Sequence, residues 1–322
     1  MKRIRVIDVA WPNKTDIDQG RQLDAKTLDS LIKRCVARIT DGLKSATNYS
    51  EIQRHHLSEM FEGMGSTHVT IRSLLTQGSN TPTCVDAVAL ARLQLETLYR
   101  VCLIVQDASF LDLYIKNHWK DIYVLFLLAR IEQRNLPRFN EYLNETGPRW
   151  FEPFRVICGV TNDEKATIEH DELGTLIPDG AIEVRIEQFP SPRKVIEKIT
   201  NSDQKRMLKR LYIEYQRLCG FAHGSAQASF FRTTFSGRPP ATQHTSESQR
   251  QDVFEKQILD LALLHSSLST IQSTCEMASV LPPDVELARA SIDSWNVLSE
   301  MNLLGRAIWE IRARSLLGVV QS

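Results

Sequence analysis

Arg217 and His223 are the residues whose types and spacing best fit acid–base chemistry on a phosphate. They lie in EYQRLCGFAHGSAQASFF, residues 214–231, where a helical pattern runs into small and aromatic residues. Histidine exchanges a proton near neutral pH, and arginine presents a planar set of donors to phosphate oxygens. His223 stands between Ala222 and Gly224, which leaves room for a backbone or a ligand to approach. A partly buried histidine bonded to a tyrosine or a glutamine is the alternative interpretation.

A second candidate pair, Arg92 and Glu96, is four residues apart in LARLQLETLYR. Side chains at this spacing meet on one helix face, where Tyr99 follows. An ion pair on an otherwise apolar helix is costly unless both charges are paired. It is therefore either an internal pair that fixes the register of a helix bundle or part of a polar pocket. In the second case Tyr99 and Tyr212 support the pocket.

Three arginines, Arg206, Arg210 and Arg217, form a basic stripe on the helical pattern that precedes His223. The stripe is predicted to point outward, either as a solvated face or as a surface that holds RNA phosphates. The same helix has an apolar stripe that is predicted to face the core. Along the edge of that stripe lie four other side chains: Tyr212, Gln216, Cys219 and His223.

Other clusters of ligand-type side chains are weaker. The acidic run at residues 169–172 has suitable oxygen ligands, but neighbouring residues on a helix point apart, so a solvated loop is favoured. His55 and His56 lack the H-E-x-x-H spacing of zinc proteases. His118 and His265 are predicted to pack at helix edges. We therefore expect neither a metal nor a cofactor.

The composition limits the classes of function. The 322 residues carry 39 basic and 39 acidic side chains, so a global basic field for nucleic acid is absent and binding would need a local patch. Six cysteines show no C-x-x-C pair, which predicts buried free thiols in a reducing compartment. No secretory signal and no apolar run approaching the ~20 residues of a membrane helix is present. These features predict a soluble cytoplasmic protein.

Helical periodicity dominates the chain after an N-terminal arm, residues 1–14. A helix beginning at Ser50 is predicted to bend or break at Gly63 and Gly65. The pattern from Pro82 to Gln106 is apolar nearly all round, which predicts the most buried helix of a bundle.

Further helical patterns cover residues 110–133, 137–144, 192–222, 248–279 and 283–317. The polar segment 232–249 is predicted to be a mobile loop near His223. The fold class is therefore an all-α multi-helix bundle, formed as one domain by residues 15–322 and ending in helices within 250–322. A minor β element is predicted near the N-terminus or around 175–190.

The segments LARLQLETLYR and YQRLCGFAHGS resemble a bacterial, all-helical domain family whose members carry an R-x-x-x-E helix and a later Y…(S/C)…(A/V)H segment. More distantly, Arg217 to His223 is similar to the R-x4-6-H motif of HEPN-type ribonuclease domains from toxin and antiphage systems. The resemblance covers residues 82–231. It implies a homodimer in which arginine and histidine act on RNA at a shared groove.

The resemblance implies a metal-independent endoribonuclease, or an RNA-binding effector, of a bacterial defence or stress system. His223 and Arg217 would be catalytic, and Arg206 and Arg210 would bind RNA. The chain departs from the HEPN pattern at Leu218, where a polar residue is common. In a straight helix Arg217 and His223 also lie about 120° apart, so they converge only if Gly220 breaks the helix or two protomers share the site. The competing hypothesis is a non-catalytic sensor or scaffold that binds a protein partner.

Overall fold

The structure, a computed structural model, describes residues 25–76, 81–119, 145, 156, 187–222 and 246–318. These residues form helices and no strand, which confirms the all-α bundle. The helices are α1 (Ala25–Ser45), α2 (Glu51–Thr76), α3 (Thr81–Gln106), α4 (Pro192–Lys198), α5 (Ser202–Ala222), α6 (Ser246–Ala278), α7 (Val285–Met301), α8 (Leu303–Ile308) and α9 (Arg314–Leu316), with a π-helix at Trp309–Ala313 and a further helical stretch at 109–119.

Several predictions fall partly or wholly outside these ranges. The N-terminal arm, the β element predicted for the N-terminus and the acidic run at 169–172 are not among the described residues. Of the segment around 175–190, only residues 187–190 are described, and they carry no strand. Helix α6 begins at Ser246, so the last four residues of the predicted loop 232–249 are helical. Among the described helices, none combines the length and apolarity needed to cross a membrane.

The C-terminal half of α6 is the centre of the bundle. Residues 262–277 are all buried, and α6 packs against α1, α2, α3 and α7. Many of these side chains are serines and threonines, and the two threonines satisfy their hydroxyls within the helix. Thr270 donates to the carbonyl of Ser266 at 2.9 Å, and Thr274 donates to that of Ile271 at 2.7 Å. Such back-bonding lets hydroxyl groups enter a core, and the short side chains allow neighbouring helices to pack closely.

Helix α3 is therefore not the most buried element, and that prediction is wrong. Leu95, Val101 and Leu103 are fully buried, but Leu93 remains 49% exposed. The all-round apolar pattern indicated burial on every side, whereas one side of α3 is open among the described residues.

Helix α2 is continuous from Glu51 to Thr76, so the predicted break at its glycines is also wrong. A Cβ atom at Gly65 would lie 3.4 Å from Cγ1 of Val36, whereas one at Gly63 would meet nothing within 4 Å. Gly65 thus brings α2 close to α1 without ending the helix. Glycine costs a helix only about 1 kcal/mol relative to alanine, which tertiary packing offsets.

A buried ion pair ties the C-terminal helices to the centre. The Glu276 side chain is fully buried and accepts from Nε and Nη2 of Arg312 at 2.9 and 2.8 Å. The side-chain amides of Gln204 and Gln272 each donate to it at 2.9 Å. The π-helix carries Arg312, and its wider turn is a common device for re-aiming a side chain. This cluster joins α5, α6 and the C-terminal segment.

We predict that Arg312→Ala lowers the free energy of unfolding by about 3–5 kcal/mol, because it leaves the Glu276 carboxylate buried without its cation. Denaturant titration measures the change. The matched control is Arg289→Ala, which breaks a pair with Glu286 whose members are 65% and 56% exposed. That control should cost no more than about 1 kcal/mol. Equal losses in the two variants would contradict a special role for the buried pair.

Candidate functional site

The sequence-predicted pocket lies along the seam between α3 and α5, which pack against each other. Helix α3 supplies Arg92, Glu96, Tyr99 and Arg100, and α5 supplies Tyr212, Tyr215 and Cys219. The two helices run antiparallel. Arg92 meets Cys219 near the end of α5, whereas the hydroxyl of Tyr99 donates to the carbonyl of Leu208 further back along α5.

Arg92 is held in one orientation by contacts on both helices. Its Nε donates to Sγ of Cys219 at 3.3 Å, and its Nη2 donates to the hydroxyl of Tyr215 at 3.2 Å and lies 3.3 Å from Oε2 of Glu96. The guanidinium carbon is also 5.5 Å from the centre of the Tyr215 ring, within the range of a cation–π contact. A guanidinium fixed in this way is ordered before any ligand arrives.

The predicted ion pair between Arg92 and Glu96 is confirmed, and Arg100 completes it. Nη2 of Arg100 donates to Oε1 of Glu96 at 3.0 Å, so one carboxylate lies between two cations. The side chains of Arg92, Glu96 and Arg100 are 16%, 20% and 35% exposed. The cluster is therefore at the edge of the bundle, where a ligand could reach it, and not in its interior.

Two tyrosines of the predicted pocket have different positions. Tyr99 is fully buried, and burial raises the pKa of its hydroxyl, which donates to the carbonyl of Leu208 at 2.8 Å. That hydroxyl is already used inside the bundle. Tyr212 is partly exposed and stacks on Tyr215 with ring centres 6.0 Å apart. Tyr212, unlike Tyr99, is accessible to a ligand at the seam.

Arg217 does not belong to this cluster. Arg217 and Cys219 are two residues apart, or about 200° around the helix, so they point to opposite edges of α5. Nη1 of Arg217 lies 3.5 Å from Oε2 of Glu214, and the same oxygen lies 3.6 Å from Nε2 of His265 in α6. His265 lowers the pKa of the Glu214 carboxyl, with a smaller effect from Arg217, while burial opposes both.

His223 lies just outside the described residues, one position after the end of α5. The helix continues without interruption past Gly220 to Ala222. A helix break at Gly220, one of the two ways in which Arg217 and His223 could converge, is therefore excluded. Convergence between two protomers, the other of the two ways, stays a prediction.

Two of the three arginines of the predicted basic stripe, Arg206 and Arg210, point outward, whereas Arg217 is partly exposed beside Glu214. Arg206 and Arg210 are exposed, and Lys209 between them extends the charged surface. Arg206 forms an exposed pair with Asp203 at 3.3 Å. Ile213, 52% exposed, follows on the same face. The surface combines several cations with one apolar side chain.

His265 is not at a helix edge, and that prediction is wrong. It is fully buried, and neither ring nitrogen hydrogen-bonds to a described residue. His118, by contrast, is exposed near the end of the helical stretch 109–119. The sequence signal for a buried His265 was its place in LALLHSSL, between apolar residues before it and two small serines after it.

A histidine that sequence reasoning missed, His68, joins three helices. Its Nδ1 is 3.0 Å from Oγ of Ser266, and its Nε2 is 2.8 Å from Oδ1 of Asp29. The row resembles a serine–histidine–aspartate array, but Ser266 is fully buried in the middle of α6 and His68 is 1% exposed. A substrate would not reach this hydroxyl, so the row is a structural link. Its members are spread from residue 29 to residue 266, so no local motif marks them.

The described cysteines are free thiols, in agreement with the prediction. Burial raises the pKa of Cys35 and Cys102, and it raises that of Cys275 to about 12. These thiols stay protonated and do not act as nucleophiles. No group of histidine, cysteine and acidic side chains within the described part of the chain could hold a metal ion.

Comparison with known proteins found no matching protein-family model, no matching curated protein and no matching solved structure.

We predict that Glu96→Ala lowers the free energy of unfolding by about 1.5–3 kcal/mol, the range for a hydrogen bond to a charged group. Because the Glu96 side chain is 20% exposed, the loss of stability should be smaller than for a fully buried pair, although two arginines lose their partner. Denaturant titration of Glu96→Ala beside Glu286→Ala, whose carboxylate is 56% exposed, provides the measurement. A loss for Glu96→Ala no larger than for the control would contradict the bridging role.

Proposed function

We propose that this chain is a HEPN-like RNA-binding protein that cleaves RNA without a metal, as an effector of a bacterial defence or stress system. The observation that carries the proposal is the place of Arg92. An ordered guanidinium contacts Cys219, which precedes His223 by four residues, or about one helical turn. Arg92 of α3 therefore contacts the edge of α5 on which the sequence pattern places His223.

The chemistry needs one proton-transfer group and one cation. A histidine takes the proton from the ribose 2′-hydroxyl, whose oxygen then attacks phosphorus while the bond from phosphorus to O5′ breaks. The departing O5′ receives a proton, and a 2′,3′-cyclic phosphate remains. Charge builds on the non-bridging oxygens in the transition state, where an oriented guanidinium stabilises it. No described residue accepts a hydrogen bond from Nη1 of Arg92, and the proposal assigns this nitrogen to the phosphate.

The exposed face of α5 would bind the RNA backbone. Arg206 and Arg210 lie about one helical turn apart, a rise of about 5.4 Å, and Lys209 stands next to Arg210. The nearest carboxylates do not neutralise the positive charge of this face. Asp203 balances only Arg206, and Glu214 is shared with the buried His265. Because the chain carries no net charge, phosphate binding requires a local cationic face, and this surface provides one.

A non-catalytic scaffold or sensor is the second candidate, and one observation favours it. The polar groups of the seam bond mainly to each other: Glu96 holds two arginines, and the hydroxyl of Tyr99 is bound to the backbone of α5. A helix bundle needs such contacts to fix the register of its helices, even where no ligand binds. In that case the exposed face of α5 would bind an acidic protein partner.

We predict that Arg206→Ala combined with Arg210→Ala weakens binding of a fluorescein-labelled single-stranded RNA and reduces its salt dependence. Each lost phosphate contact lowers the slope of log K against log salt by about 0.7, so the double variant should lose about 1.4. Fluorescence anisotropy over a salt series measures both quantities. Arg289→Ala is the matched control, since Arg289 and Arg206 are 65% and 64% exposed and each pairs with an acid three residues away. An unchanged slope in the double variant would refute the RNA face.

We predict that His223→Ala and Arg92→Lys each reduce RNA cleavage by on the order of 100-fold or more while the fold is kept. Lysine keeps the charge of Arg92 but not its planar donors. Gel analysis of a labelled RNA in EDTA, with a test for the cyclic phosphate end, measures the activity. If wild type binds RNA without cutting it, the scaffold hypothesis gains and the enzyme hypothesis fails.

The same assay distinguishes the two arginines. Mixing His223→Ala with Arg217→Ala restores cleavage only if a dimer shares those residues between protomers. If Arg217→Ala alone keeps nearly full cleavage and Arg92→Lys does not, Arg92 is the partner of His223. The reverse result would assign the catalytic role to Arg217.

A further inference from the structure

Histidines gather where the start of α2 packs on the end of the helical stretch 109–119. His55, His56 and Glu59 come from α2, and His118 and Trp119 come from the other stretch. The ring of His56 is 5.6 Å from that of His55 and 5.2 Å from that of His118, measured between ring centres. The proposed RNA-binding function uses none of these residues.

The hydrogen bonds of His56 fix its protonation state. The indole Nε1–H of Trp119 lies 3.2 Å from Nε2 of His56, and indole can only donate. Nε2 of His56 must therefore be the acceptor, so the ring is neutral and carries its proton on Nδ1. Nδ1, which carries the proton, lies 3.3 Å from Oε2 of Glu59. The imidazole is 5% exposed, so water cannot readily replace Trp119 as the partner of Nε2, whereas Glu59 is 52% exposed.

We propose that His56 is an acid-sensitive latch, in which protonation of Nε2 breaks the bond from Trp119 and releases Trp119 from α2. A proton on Nε2 would face the indole N–H, so two donors would oppose each other at hydrogen-bond distance. The proposal rests on this contact alone and holds whether or not the chain acts on RNA.

The groups that face His56 set the direction of its response. Burial lowers its pKa, the neighbouring His118 and His55 lower it further, and Glu59 opposes them. Tyr114 also lies near Glu59, but burial raises its pKa, so it stays neutral. The latch is thus closed at neutral pH. Because the folded-state pKa lies below the ordinary value of about 6.5, the stabilisation is complete above that pH and is lost as pH falls through the folded-state value.

A local measurement is needed, because acid would also protonate His68, another buried histidine whose pKa is lowered by burial. The indole N–H resonances of the full chain, labelled with ¹⁵N, report each of its five tryptophans separately. The signal that disappears in Trp119→Phe identifies Trp119. We expect this resonance to stay constant at neutral pH and to move only as the pH falls below about 6.5, the ordinary histidine value, because burial lowers the pKa of His56.

Three variants test the assignment. His56→Gln replaces the ring with an amide that can accept from the indole and donate to Glu59 at any pH, so the Trp119 resonance should no longer titrate. His55→Gln, the 66% exposed neighbour on the same carboxylate, should leave the titration in place. His118→Gln removes a neighbouring charge and should move the midpoint to higher pH. A Trp119 resonance that does not titrate in wild type, or that titrates equally in His56→Gln, would overturn the proposal.

Discussion

The buried carboxylate of Glu276 is the constraint on which the packing of the described bundle depends. A charge with no exposure is stable only when cations and hydrogen-bond donors surround it, and here they come from three parts of the chain. Gln204 fixes the start of α5 against α6, and Arg312 fixes the C-terminal segment. Because both partners must reach one carboxylate, the registers of α5 and α6 are coupled. The places of Arg92 and Arg217 follow from that register.

The two edges of α5 thereby acquire different environments. One edge meets α3, where Tyr215 and Cys219 hold Arg92. The other approaches α6, where Glu214 lies between Arg217 and His265. Between them the outward face keeps its cations in solvent. Helix α5 thus has one edge that holds the ordered guanidinium of Arg92 and a separate exposed face that carries cations. A phosphodiester substrate would need both, the first to position it and the second to bind it.

Buried histidines beside carboxylates recur in this bundle, as the pairs His56–Glu59, His68–Asp29 and His265–Glu214 show. In the first two pairs burial lowers the pKa of the histidine. In the third, the histidine lowers the pKa of the carboxyl. A fall in pH is therefore expected to protonate buried side chains of the bundle as well as side chains at its surface. The first pair lies within α2, the second joins α2 to α1 and the third joins α6 to α5, so the response to acid should differ from place to place along the bundle.

The sequence by itself determined the helical class, the core stripe of α5 with Leu208, Leu211 and Leu218, and the pairing of Arg92 with Glu96. These features are local, because residues three or four apart meet on a helix whatever surrounds it. Tertiary structure decided which helix lies at the centre. The serines and threonines of α6 are polar in sequence, yet they are buried; Thr270 and Thr274 donate to carbonyls of their own helix, and Ser266 pairs with His68 of α2. Tertiary structure also decided that Arg217 faces α6 and that Arg92 meets Cys219. Arg92 and Cys219 are 127 positions apart, and Glu214 beside Arg217 meets His265 of α6 across the bundle, so only the packing of whole helices sets these distances.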